Sequence, residues 1–169
     1  FAQPGMRFCQ AQALVLAMMK DVKFSALSEV ARRRIAEHVL TEVARRMLEE
    51  IVLLETRASI PRPKDIFSGL DVFKLRFSAG EFDMVIRDNA KGTIELFEIK
   101  HSHIISPDQA RHLADDDMLA LTEKQFGRIT GRTVLYRGEN ALLAETGIRY
   151  QNVNAYLKSL NNLPDRNSN

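Results

Sequence analysis

Between Arg57 and Val72 the spacing of apolar residues changes period, and this change constrains the fold more than any other feature of the chain. Before it, Ile35, Val39, Val43, Met47, Ile51 and Leu54 recur every three or four residues, one apolar stripe along a helix of roughly 25–57. Ser25 and Ser28 each suit the cap of that helix, and Pro61 and Pro63 forbid its continuation. Its last turns (Leu48, Ile51, Val52, Leu53, Leu54) are apolar nearly all round and are expected to be buried. After the change, apolar and polar residues alternate. Val72-Phe73-Lys74-Leu75-Arg76-Phe77 reads as a strand, Ala79-Gly80 as a turn and Phe82 to Arg87 as a second strand. Asp88-Asn89-Ala90-Lys91-Gly92 is a turn cluster, and Thr93 to Lys100 reads as a third strand. A long helix followed by an antiparallel meander makes this an α/β chain.

Beyond the meander, Ser106 and Pro107 open a helix expected over 108–126, with Gly127 and Gly131 ending it. Thr133-Val134-Leu135-Tyr136 reads as a buried strand, Arg137-Gly138 as the turn out of it, and Ile148-Arg149-Tyr150 as a short strand. Val153 to Leu160 closes the chain as a helix. At the other end, residues 1–23 read as a helix behind a Pro4-Gly5 turn. Its Leu14, Leu16, Met18 and Met19 read as core or as an interface to sequence outside this chain. The expected organisation is an N-terminal helical segment over 1–24 that packs on upstream sequence, one domain over 25–160, and a flexible polar tail over 161–169.

Composition excludes several classes. Lys and Arg number 24 against 22 Asp and Glu, a net charge of +2 that does not by itself imply nucleic-acid binding. Arg32, Arg33, Arg34, Arg45 and Arg46 read either as phosphate contacts or as the solvated face of a long amphipathic helix, and their interleaving with Glu29, Glu37, Glu42, Glu49 and Glu50 favours the second. Cys9 is the single cysteine, so neither an internal disulfide nor a cysteine metal cage can form, which fits a reducing compartment. The apolar run from Ala11 to Met19 is too short to span a bilayer and lacks the flanks of a signal peptide. The expected setting is therefore the cytoplasm, with no membrane partner. The start at Phe1 rather than Met reads as a piece of a longer protein. There is no phosphate-cradling P-loop, nucleophile elbow, dinucleotide fingerprint or helical histidine pair.

One constellation carries chemistry. On a strand, Glu98 and Lys100 share a face while Phe97 and Ile99 point to the other. By the same alternation Asp83 opposes Phe82, Met84 and Ile86. The two strands are joined by a short turn, so Asp83 and Glu98 fall on neighbouring strands and on one face. Such a carboxylate pair suits a hard divalent cation. Lys100 beside it can orient or help deprotonate a water, or offset charge on a phosphate. The bland counterpart is a cross-strand ion pair on a solvated sheet face. His101 and His103 fall on the face of Phe97 and Ile99, not of Glu98, and read as loop-edge residues more readily than as metal ligands; Asp115, Asp116 and Asp117 diverge as a solvated helix face, and Gln109 heads the second helix.

The stretches Gly80-Glu81-Phe82-Asp83-Met84-Val85-Ile86 and Leu96-Phe97-Glu98-Ile99-Lys100, after a long helix and before another helix and strand, resemble the PD-(D/E)XK nuclease superfamily. They are most similar to the C-terminal nuclease-like domain of bacterial and archaeal AAA-type ATPases. Met47-Leu48-Glu49-Glu50-Ile51-Val52 resembles that family's acid-bearing helix, and Pro4-Gly5-Met6-Arg7-Phe8 and Tyr136-Arg137-Gly138 also match its pattern. Phe82 stands where the superfamily's name has Pro. The resemblance implies a restriction-endonuclease-like αβββαβ core, a central mixed sheet flanked by helices. It also implies Mg²⁺-dependent (or Mn²⁺-dependent) hydrolysis of nucleic-acid phosphodiesters, DNA first, with an AAA ATPase domain upstream in the same polypeptide. Asp83, Glu98 and the carbonyl of Ile99 would hold the metal, and Lys100 would position the water. Glu49 would complete the acidic cluster by motif alignment, although helical geometry places Glu50 nearer the apolar stripe. The alternative is a catalytically silent module of the same fold, serving DNA binding, oligomerisation or regulation of the attached ATPase.

Overall fold

The computed structural model describes residues 4–61 and 69–161, so Pro63 and residues 162–169 of the expected tail lie outside the described residues. The chain forms two compact units that meet in sequence at Ile51 and Val52. The first contains α1 (Pro4–Lys20), α2 (Val22–Ser25) and most of α3 (Glu29–Ser59). Pro4 and Gly5 belong to α1 rather than to a turn before it, as suits a proline whose missing N–H is not needed in a first turn. The long helix starts later than its stripe suggests. Asp21 accepts hydrogen bonds from the N–H groups of Lys23 and Phe24 at 2.7 and 3.0 Å and caps a separate turn ending at Ser25. Ser28 then takes the N–H of Ala31 at 3.3 Å at the head of α3. Leu14, Leu16 and Met19 are exposed, so they are not core of this unit. In the last turns of α3 Val52 is fully buried while Leu54 is exposed, so burial there is one-sided rather than all round.

The second unit is built on a six-stranded mixed, open sheet in the order β1-β2-β3-β4-β6-β5. β1 (Leu70–Arg76), β2 (Glu81–Asp88) and β3 (Thr93–Ile99) form the antiparallel meander. β3 then pairs in parallel with β4 (Arg128–Tyr136), and β4 with β6 (Ile148–Asn152), while β5 (Ala141–Leu143) lies antiparallel at the edge. Helices flank both faces. On one, the ring of Phe97 lies 6.1 Å from that of Tyr156 in α5 (Val153–Asn161), whose hydroxyl bonds Thr56 at 2.8 Å. On the other, Ile94, Leu96, Val85 and Val134 pack with Ala110, Leu113 and Met118 from the β3–β4 connection. Among the described residues no helix is long and apolar enough to cross a membrane.

Two local features differ from simple periodicity. The first is a β-bulge. Phe73 pairs with Val85 but Leu75 pairs with Phe82, so Asp83 and Met84 together face the single residue Lys74. Strict alternation put Phe82 opposite Asp83 and beside Met84. With one extra residue in β2, Phe82 instead joins Val85 in the core. The second is the connection after β3. It is two 3-10 turns, Pro107–Ala110 and His112–Ala114, followed by α4 (Asp116–Phe126), and not one helix. Ser106 and Gln109 close a capping box on the first turn, while Asp115 caps α4 by accepting the N–H of Met118 at 3.0 Å. Asp115 is therefore a cap, and only Asp116 and Asp117 are a solvated face.

Gly127 ends α4 as expected, whereas Gly131 lies inside β4. Gly127 has φ of 110°, and a Cβ added there would sit 2.2 Å from the carbonyl oxygen of Gly92, which accepts the N–H of Arg128 at 3.0 Å. Gly127→Ala should therefore strain the backbone and push apart the turn that starts β3, costing roughly 2–3 kcal/mol in urea unfolding. A loss under about 0.5 kcal/mol, the scale of an ordinary surface change, would contradict this close approach.

Candidate active site

The bulge in β2 and the C-terminal end of β3 bring Asp83, Glu98 and Lys100 together. Asp83 Oδ2 accepts the N–H of Ile99 at 2.8 Å and the Lys100 ammonium at 3.2 Å. The same ammonium donates a hydrogen bond to Glu98 Oε2. The Lys100 backbone is fixed in turn, because its N–H bonds the carbonyl of Leu135 on β4 at 2.8 Å. Both acids are nearly inaccessible, Asp83 at 4% and Glu98 at 2% exposure, while the lysine side chain reaches solvent at 26%.

The electrostatics follow from that burial. Desolvation first, and then the Asp83 charge, push Glu98 up to about 8, although Lys100 pulls the other way. Burial works against the Lys100 ammonium too, yet the Asp83 and Glu98 charges together outweigh it and hold its pKa above the ordinary lysine value. Lys100 is thus a lasting cation and hydrogen-bond donor, poorly suited to removing a proton at neutral pH.

A fourth participant, His112, is the residue that periodicity passed over. Its Nδ1 lies 3.1 Å from Glu98 Oε1, and its Nε2 lies 3.2 Å from Nη2 of Arg111. The histidines nearer the motif do other things. His101 Nε2 accepts a hydrogen bond from Arg137 at 3.0 Å, and His103 is exposed. Gln109 is spent on the N–H of Ser106 and the carbonyl of Ile104. Glu49 belongs to the first unit, where its Oε1 accepts from Arg45 at 2.7 Å.

Among the described residues no three or more His, Cys, Asp or Glu side chains gather as a ready metal cage. The donor chemistry nonetheless fits a magnesium-like ion. Mg²⁺ keeps several waters and is commonly held by one or two carboxylates plus substrate phosphate, and Asp83 and Glu98 supply two. The Lys100 ammonium now bridges Asp83 Oδ2 and Glu98 Oε2, so a cation would compete with it for those oxygens. No protein-family model, curated protein or solved structure matches the chain.

Proposed function

We propose that the second unit is a metal-dependent phosphodiester hydrolase domain with a restriction-endonuclease-like core. It acts on nucleic acid, DNA first, as the C-terminal part of a cytoplasmic AAA-type ATPase. The observation that carries this reading is the convergence of Asp83, Glu98 and Lys100, from two strands, on one buried point. A cross-strand ion pair on a solvated face would leave its acids in water. Here two carboxyl groups are desolvated side by side, an arrangement that costs stability and that clusters at functional sites.

In this reading Asp83 and Glu98 hold Mg²⁺ or Mn²⁺, with the Ile99 carbonyl as the third protein donor given by the resemblance. Glu49 enters by the resemblance alone. The bound cation supplies Lewis acidity toward the phosphate and a more acidic water. Lys100 stays protonated, so it donates hydrogen bonds that orient the attacking water and offset charge growing on the phosphate oxygens. Asp83 also ties β2 to β3 through the Ile99 N–H, which sets the spacing of the two carboxylates.

The test is cleavage of labelled single- and double-stranded DNA with Mg²⁺ or Mn²⁺, against an EDTA control, by wild type, Asp83→Asn and Glu98→Gln. The amides keep the size of the acids and one acceptor oxygen each, but remove the charge and turn the other oxygen into a donor. Cleavage should need metal and fall at least roughly 100-fold in each variant, about 2.7 kcal/mol of transition-state stabilisation. The bridging ammonium favours a second reading, a self-neutralised and silent module that binds DNA or regulates an attached ATPase. Folded wild type that binds DNA without metal-dependent cleavage would select it.

A further inference from the structure

We propose that Arg111 and His112 are positioning residues for Glu98. The guanidinium fixes the tautomer of the imidazole, and the imidazole anchors Glu98 Oε1 so that Oε2 stays turned toward Lys100 and Asp83. The link to metal binding rests on the hydrolase reading above; the hydrogen-bond relay itself does not.

A guanidinium has five donors and no acceptor. At 3.2 Å from Arg111 Nη2, the Nε2 of His112 must therefore be the acceptor. In a neutral ring the remaining proton then sits on Nδ1, which donates to Glu98 Oε1 at 3.1 Å. Glu98 thus has donors on both oxygens, His112 on one and Lys100 on the other, and its carboxyl group cannot swivel. The ring is held from behind as well. It packs on the bare backbone of Gly80, in the turn between β1 and β2, where an added Cβ would lie 2.7 Å from Nε2. The 3-10 turn carrying His112 and the glycine turn therefore grip one imidazole between them. Groups that hydrogen-bond a metal-binding side chain from behind typically matter 10–100-fold in affinity or activity.

Two measurements test this. The first is the ring ¹⁵N signature of His112 in metal-free wild type and Arg111→Ala. Wild type should show the Nδ1–H tautomer, and Arg111→Ala a tautomer mixture once the guanidinium is gone; an Nε2–H ring in wild type overturns the relay, whatever the protein's activity. The second is Mn²⁺ affinity by electron paramagnetic resonance, with folding checked by circular dichroism. His112→Ala should bind at least roughly 10-fold more weakly. Gly80→Ala, which displaces the ring without changing it, should show a similar loss. His112→Asn, whose amide can replace the Nδ1 donor, should stay within about 3-fold of wild type. Unchanged binding in His112→Ala, or His112→Asn as weak as His112→Ala, refutes the positioning role. Wild type that binds no Mn²⁺ overturns the hydrolase reading instead, and the tautomer result then decides the relay on its own.

Discussion

Lys100→Ala should destabilise the second unit by about 3–5 kcal/mol above about pH 8, where Glu98 too has lost its proton, the range seen when one partner of a buried ion pair is removed. The Lys100 ammonium touches Asp83 Oδ2 and Glu98 Oε2 together, and both acids are under 5% exposed. Truncating it leaves two desolvated carboxyl groups against each other with no cation between them. Neutralising the acids removes the need for a counter-ion, so adding Asp83→Asn and Glu98→Gln to Lys100→Ala should recover most of the loss. Urea unfolding of the single and triple variants measures both effects. A single variant within about 1 kcal/mol of wild type would mean that the cluster is solvated well enough to need no lysine. The functional corollary is that lost DNA cleavage in Lys100→Ala alone is uninformative about chemistry. The acid-to-amide variants, which keep the packing, separate catalysis from folding.

The parts of this site that were legible in the sequence are those set by local geometry. Glu98 and Lys100 share a face because they are two apart on a strand, and no tertiary knowledge is needed for that. The meander was legible because alternation and turn residues coincide from Val72 to Lys100. Asp83 was singled out on an incomplete ground: alternation placed it opposite Phe82 and Met84, whereas the bulge gives Phe82 and Val85 a common core and sets both Asp83 and Met84 against Lys74. A bulge adds one residue without changing composition, so periodicity cannot count it. The break between Ala110 and Asp116 was equally invisible, since 108–126 reads as one helix until Asp115 is seen capping α4. That break aims His112 at Glu98. β5 escaped notice because Ala141–Leu143 is three residues with no alternation, held at the sheet edge by its pairing with β6.

The metal-free protein should lose stability as pH rises from about 4.5 to about 8, and Glu98 is the cause. Its folded value is pushed from 4.5 up to about 8, chiefly by burial. Below 4.5 the carboxyl is protonated in both the folded and unfolded chain and contributes nothing to the difference. Between the two values the unfolded chain releases the proton and the folded one keeps it, so unfolding free energy falls by about 1.4 kcal/mol per pH unit. Above about 8 both states are ionised and the full cost remains, on the order of 5 kcal/mol with the opposing pull of Lys100 already included. Other groups do not mimic this slope. Lys100 stays charged throughout the window, and Asp88 and Glu42, held low by hydrogen bonds from Lys91 and Arg45, act below it with the opposite sign. His101, lowered by burial and by Arg137, gains stability as pH rises through its range, but it does so equally in any variant at position 98. Glu98→Gln should therefore match wild type near pH 4.5 and exceed it by a few kcal/mol above pH 8, with the difference growing across the interval. Parallel curves for the two proteins would show that His112 and Lys100 hold Glu98 ionised at every pH, and that its burial carries no proton.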